Sequence, residues 1–116
     1  MPTSDTRTSL LHMMDHAKEA LDTVSGKTRR DLDCERQLNL SPVRLLEIVG
    51  EAAGRIPIEH RALCPDIPWG QIVSLRNRLI HGYDSVNFDI LWKVVTEDLP
   101  PLMSQLEDAL SRDFPP

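Results

Sequence analysis

Aromatic side chains are scarce in this sequence: two Trp, two Phe and one Tyr, 4% of 116 residues. Trp69 and Trp92 both lie in apolar helical contexts, which argues against a base-stacking platform of the RRM or OB type. Only two cysteines occur, Cys34 and Cys64, without a C-x-x-C partner. They form neither a zinc knuckle nor a disulfide framework, and read as buried or incidental thiols. No apolar run approaches the ~18 residues of a transmembrane helix, and β-branched or aromatic runs long enough for strands are missing. Positive charge is short as well. Thirteen Lys and Arg face 18 Asp and Glu, a net charge of −5, so a generally basic nucleic-acid coat is excluded. Met1 to Thr8 is polar and carries Asp5, so no secretory leader is expected and a reducing cytoplasm is the expected location.

What remains is the composition of a water-soluble globular chain, 41% apolar and 27% charged, with length for one domain and one modest core. The charge is unevenly placed. Residues 84–116 hold seven acids (Asp84, Asp89, Glu97, Asp98, Glu107, Asp108, Asp113) against Lys93 and Arg112, while residues 1–83 balance. Ile67 to Tyr83 contains Arg76 and Arg78 and no acid, which predicts a local cationic site.

The dominant period is helical, so the fold class expected is all-α, a bundle of four or five helices spanning 1–116 as one domain, with 1–6 disordered. A first helix from about Thr6 to Ser25 gathers Leu10, Met13, Met14, Ala17, Ala20, Leu21 and Val24 on one side, and Gly26 stops it. Lys27 to Arg36 joins or opens the next helix. Ser41 as N-cap and Pro42 at the first helical position then predict a helix with Leu45, Val49, Ala52 and Ile56 as its stripe, closed by Pro57. Gly50 and Gly54 line one edge of it and would admit a close helix neighbour. Pro57 to Pro68 reads as a loop. A short helix is expected from Pro68 or Trp69 to His81, with Gly82 as its stop. The last helix starts near Asn87 and carries Phe88, Leu91, Trp92, Val95, Leu99, Leu102, Leu106 and Leu110, with a kink or break at Pro100-Pro101.

Several motifs carry no chemistry on inspection. Gly26-Lys27-Thr28 lacks the earlier glycine of a phosphate loop, since position 21 is Leu21. His12 and His16, with Glu19 beside them, have a metal-compatible spacing but lie opposite the apolar face, which favours a solvated surface. Glu47 and Glu51 share a face and read as hydrated or salt-bridged. The segment from Leu75 to Tyr83 is different. At 100° per residue, Ile72, Val73, Leu75, Leu79 and Ile80 form an apolar arc with Arg76 near its middle. A guanidinium there should meet an anion, a carboxylate or a cleft at a subunit interface. Asn77 and His81 are four apart on a neighbouring face, and a histidine at a helix end is favoured in its protonated form by the carbonyl dipole. One alternative is structural: Arg76 pairs with an acid such as Glu51 while His81 caps a helix. The other is chemical. One fixed cation and one histidine suit RNA cleavage by the substrate's own 2′-hydroxyl, with histidine moving protons and arginine stabilising charge on the phosphate.

Arg76-x4-His81-x-Tyr83 resembles the R-x4-H-x-Y motif of the HepT-like toxins, a branch of the HEPN helical ribonucleases. Leu45-Leu46-Glu47-Ile48-Val49-Gly50-Glu51-Ala52-Ala53 and Pro65-Asp66-Ile67-Pro68-Trp69 before it, with Leu91-Trp92 and Asp98-Leu99-Pro100 after it, are similar to that family in order and spacing. The resemblance covers most of the chain from about Asn39 onward. It implies a homodimer whose two copies bring Arg and His to one cleft and cut RNA without metal or other cofactor. Carried over, Arg76 binds and stabilises the scissile phosphate, His81 handles protons and Asn77 fills the polar second position. It also implies an antitoxin partner, an MntA-like nucleotidyltransferase that transfers AMP from ATP onto Tyr83. A phosphodiester and nucleoside at Tyr83, two residues from His81, would block the cleft and repel RNA. The alternative within the same fold is a non-catalytic HEPN module that binds a nucleotidyltransferase without cutting RNA. A third reading is simple dimerisation through the Gly50/Gly54 edge.

Overall fold

A computed structural model describes residues 3–81 and 85–116. Helix α1 runs Thr3–Val24, three residues ahead of the expected start, so residues 3–6 are helical rather than disordered; Met1 and Pro2 lie outside the described residues. Leu10, Met13, Ala17, Ala20 and Val24 are buried at the expected spacing, and Gly26 ends the turn at φ 75°, a left-handed backbone that glycine adopts without steric cost. The segment of undecided role forms helix α2, Arg29–Cys34, where the Thr28 N–H donates to Asp31 Oδ2 at 2.7 Å and so starts the helix.

Helix α3 spans Arg36–Gly54. Its start corrects the expected one: Glu35, not Ser41, is the N-cap, and Pro42 lies inside the helix. Pro42 cannot donate to the Leu38 carbonyl, yet burial of both residues against the core holds the helix together across that lost bond. The buried stripe takes in Val49, Ala52 and, just past the helix, Ile56 as expected, with Leu38, Val43, Leu46 and Ala53 widening it, while Leu45 and Ile48 are half-buried. A Cβ on Gly50 would sit 2.9 Å from the Ile72 carbonyl oxygen, so that glycine does admit a close neighbour; around Gly54 there is open space.

After a one-turn helix α4, Ile58–Arg61, within the expected loop, Trp69 donates its indole N–H to the carbonyls of Arg61 and Cys64, both at 3.1 Å. The single short helix expected next is two, α5 (Trp69–Val73) and α6 (Leu75–Leu79), broken at Ser74, whose ψ is 11°. The Ser74 hydroxyl donates to the Gly70 carbonyl at 2.8 Å, competing with the helix ladder at the break. The helix then ends at Leu79. Ile80–His81 (β1) pairs antiparallel with Ser85–Val86 (β2), in register Ile80 with Val86 and His81 with Ser85. Gly82, the expected helix stop, lies outside the described residues. This two-residue ladder leaves the fold class all-α.

Asn87 caps helix α7 (Phe88–Lys93), its side chain accepting from the Ile90 N–H at 3.0 Å. A wider π-helical turn at Val94–Asp98 follows, then α8 (Leu99–Asp108) and a second π turn, Ala109–Asp113. Pro100 and Pro101 have no N–H for the carbonyls of Thr96 and Glu97, and the widened turn immediately before them is where the expected irregularity falls. Leu91, Val95, Leu99, Leu102 and Leu106 of this rod close the core over α1 and α3. Arg7 donates to the Phe114 carbonyl at 2.6 Å and ties the last turn to the first helix.

Candidate functional site

The outward face of α3 carries Arg44, Glu47 and Glu51, one helical turn apart. Helices α5 and α6 pack against this helix where Gly50 leaves room, which sets Arg76 and Asn77 beside those carboxylates. Arg76 is exposed, with 72% of its side chain in solvent, and its Nε lies 3.8 Å from Glu47 Oε2. Arg76 thus meets a carboxylate, as expected, but in solvent and not within an apolar arc. The break at Ser74 interrupts the helix of that arc, so Ile72, Leu75 and Leu79 are buried, Ile80 packs half-buried against the core and Val73 stays 42% exposed. The structural partner also differs: it is Glu47 and not Glu51. Arg44 Nη1 lies 3.6 Å from Glu47 and 3.7 Å from Glu51, so the half-buried Glu47 carboxylate is held between two guanidinium groups. Glu47 and Glu51 are thus salt-bridged surface groups.

The acid-free stretch in the sequence is not an acid-free surface. Arg78 Nη2 lies 4.0 Å from Asp98 Oδ2, and Lys93 reaches the same carboxylate at 3.2 Å. Of the two arginines in the motif, Arg76 is the more open to solvent. Glu47, Glu51, Val73, Arg76 and Asn77 line a depression of about 370 Å³ on this face. A larger one, about 710 Å³, shares Glu47 with it, is also lined by Arg44 and is walled by the β1–β2 ladder.

His81 stands in that ladder, two residues beyond the helix, so its placement at the end of a helix dipole is corrected: Ile80 has φ −107° and ψ 123°, extended backbone. Its backbone is paired opposite Ser85. Tyr83 lies outside the described residues. The structure therefore brings Arg76 and Asn77 to one depression and sets the His81 strand at the wall of its neighbour.

The start of α7, just after the ladder, is anchored from α2. Arg29 donates to Asp89 Oδ1 from Nε at 3.0 Å and Nη2 at 2.7 Å, and to Asp33 at 3.1 Å, with its guanidinium 5.9 Å from the centre of the Phe88 ring. The hydrogen bonds to Asp89 first, and to Asp33 second, raise its pKa above the ordinary arginine value. Sequence reading missed this clamp, because the partners are 60 residues apart. It missed the Glu47–Arg76 contact for a similar reason. The shared face of Glu47 and Glu51 was visible, but the segment facing it was not.

Elsewhere, His12 is exposed and His16 half-buried, and His16 Nδ1 donates to the His12 carbonyl at 2.6 Å. Among the described residues no cluster of three or more His, Cys, Asp or Glu could hold a metal ion. Nor, among them, is any helix long and apolar enough to cross a membrane. Cys34 is exposed and Cys64 buried, both free thiols. Burial, reinforced by the hydrogen bond to Asp113 at 3.5 Å, pushes the Cys64 thiol up to about 11.

Comparison with known proteins places this arrangement. The family described as "Ribonuclease HepT-like" matches residues 13–109. A protein of Thermococcus cleftensis named "Probable ribonuclease HepT" is 38% identical over 93 residues, 77% of this chain and 84% of that one. A protein of Caldanaerobacter subterraneus named "Putative RNase" is 32% identical over 107 residues, covering 92% of this chain and 96% of its own. One of Methanocaldococcus jannaschii, likewise named, is 30% identical over 107 residues, with coverages of 92% and 98%. No solved structure matches the chain. With the matched region running from the middle of α1 to the second π turn, and so through the whole Arg76 to His81 segment, the chain belongs to the HepT-like ribonuclease family.

Proposed function

We propose that this protein is the toxin of a toxin-antitoxin pair, an endoribonuclease that cuts RNA without metal through a site shared between two copies. The observation that carries the reading is the exposed guanidinium of Arg76, lining an open depression and five residues before His81. Its contact with Glu47 is long and solvent-exposed, so an RNA phosphate can displace it at little cost. In the reaction the RNA 2′-hydroxyl loses its proton to a histidine and attacks phosphorus. The bond to the 5′-oxygen breaks, and that oxygen leaves as a hydroxyl with a proton from a second histidine. His81 from each of two copies supplies both roles, and Arg76 stabilises the charge on the phosphoryl oxygens. Asn77, beside Arg76, orients the same phosphate.

The partner in this reading is an MntA-like nucleotidyltransferase antitoxin that transfers AMP from ATP to the Tyr83 hydroxyl, releasing pyrophosphate. The added phosphodiester silences the site by occupying it and repelling RNA.

The test is cleavage of RNA in EDTA by the full chain. Arg76→Ala is expected to lower the rate by about 10²–10³-fold. His81→Ala should abolish it, and activity that survives both substitutions would sink the proposal. Incubation with the partner and ATP should add the mass of AMP to the wild type and not to Tyr83→Phe. The Glu47 contact favours one second reading, a non-catalytic module whose Arg76 is permanently neutralised. Stable complex formation with the nucleotidyltransferase and no RNA turnover, even in Glu47→Gln, would support it.

A further inference from the structure

The depression of about 710 Å³ beside the His81 strand is unused by the chemistry above. Its volume is that of a small-ligand site. Part of its wall is apolar: Leu40 is 48% exposed on the outward face of α3, next to buried Val43, and Ile80 and Val86 of the ladder complete it. Two carboxylates line the depression, and both are already engaged, Asp33 by Arg29 and Glu47 by Arg44 and Arg76. Arg36 and Arg44 stand on its rim. The half-buried Asn39 side chain is fixed in orientation, because its Nδ2 donates to the Leu32 carbonyl at 3.2 Å. That directs its carbonyl oxygen to remain an acceptor.

An apolar slot with cations at its mouth and one fixed carboxamide matches a nucleotide: flat base inside, phosphate at the rim. We propose that this depression is a nucleobase subsite, which seats the RNA nucleotide next to the bond being cut and gives the enzyme its sequence preference. Leu40, Val43, Ile80 and Val86 contact the base, Arg36 holds the phosphate, and the Asn39 carbonyl accepts from an exocyclic amine, favouring A or C over U. The proposal rests on the ribonuclease reading above.

The experiment is a titration of the ¹⁵N-labelled full chain with AMP, CMP and UMP separately, beside cleavage of RNAs differing at one base. AMP and CMP should shift the amides of Leu40, Val43, Ile80 and Val86 at lower concentration than UMP. Leu40→Arg should abolish the shifts, and Asn39→Ala should bring the three nucleotides to equal affinity and level cleavage among the RNA series. Shifts confined to other residues, or none at millimolar nucleotide, overturn the proposal. So does conversion of a dimer to a monomer by Leu40→Arg in sedimentation, which would make this wall a contact between copies. Nucleotide binding without RNA cleavage leaves the subsite standing and removes the ribonuclease reading; cleavage with no effect of Asn39→Ala does the reverse.

Discussion

Helix α3 has two faces with opposite physics. Inward, Leu46, Val49 and Ala53 are completely buried against the core, and each contributes by removing apolar area from water. Outward, Arg44, Glu47 and Glu51 stand in solvent or at its edge and hold one another at 3.6 to 3.7 Å, contacts worth little to stability. Stability is thus carried by one side of the element, while the other side meets Arg76 of the candidate site. The outer face can therefore change partners, exchanging a carboxylate for a phosphate, without loosening the fold.

Substitutions along α3 break or sharpen that contrast. The largest effect is expected on the inner face: Leu46→Ala should cost about 2–5 kcal/mol, the transfer term plus a cavity, against about 0.5 kcal/mol or less for Leu40→Ala outside. Denaturant unfolding of the two variants checks this, and equal losses would erase the distinction between the faces. Next comes the edge. Gly50→Ala puts a methyl group 2.9 Å from the Ile72 backbone oxygen, which has no side chain to turn away, so about 1–3 kcal/mol of destabilisation is expected. Gly54→Ala, four residues on, meets nothing within 4 Å and should stabilise by about 0.4–1 kcal/mol through a better helix residue and a less flexible unfolded chain. Opposite signs of ΔTm for the two glycines are the readout.

A smaller effect, absent at neutral pH, concerns Cys64. Its folded thiol is raised from 9.0 to about 11, so between those values the unfolded chain has released a proton that the folded chain keeps. Stability is therefore fully present below pH 9 and declines as pH rises towards 11. Melting temperatures across that range should fall less steeply in Cys64→Ala than in the wild type. At pH 8 alkylation should reach exposed Cys34 well before Cys64.

The apolar spacing in α1 and in the rod from Phe88 onward was legible because period and burial there are properties of a continuous helix. Where continuity failed, so did the reading. The Ser74 break reset the helical phase and carried Arg76 from an apolar arc to the surface, and the extended backbone at Ile80 took His81 out of the helix. Ser41-Pro42 is a sound helix start in local terms, yet burial of Leu38 and Pro42 extended α3 backwards through it. By itself, then, the sequence determined the all-α class, the family through the residues from Arg76 to Tyr83 in their context, and Gly50, one of two glycines expected to admit a close neighbour. Only the tertiary structure decided that Glu47 faces Arg76, that Arg29 anchors the start of α7, and that the acid-free stretch is met by acids from α3 and the π turn. Those are pairings between segments distant in the chain, and local periodicity carries no information about which face meets which.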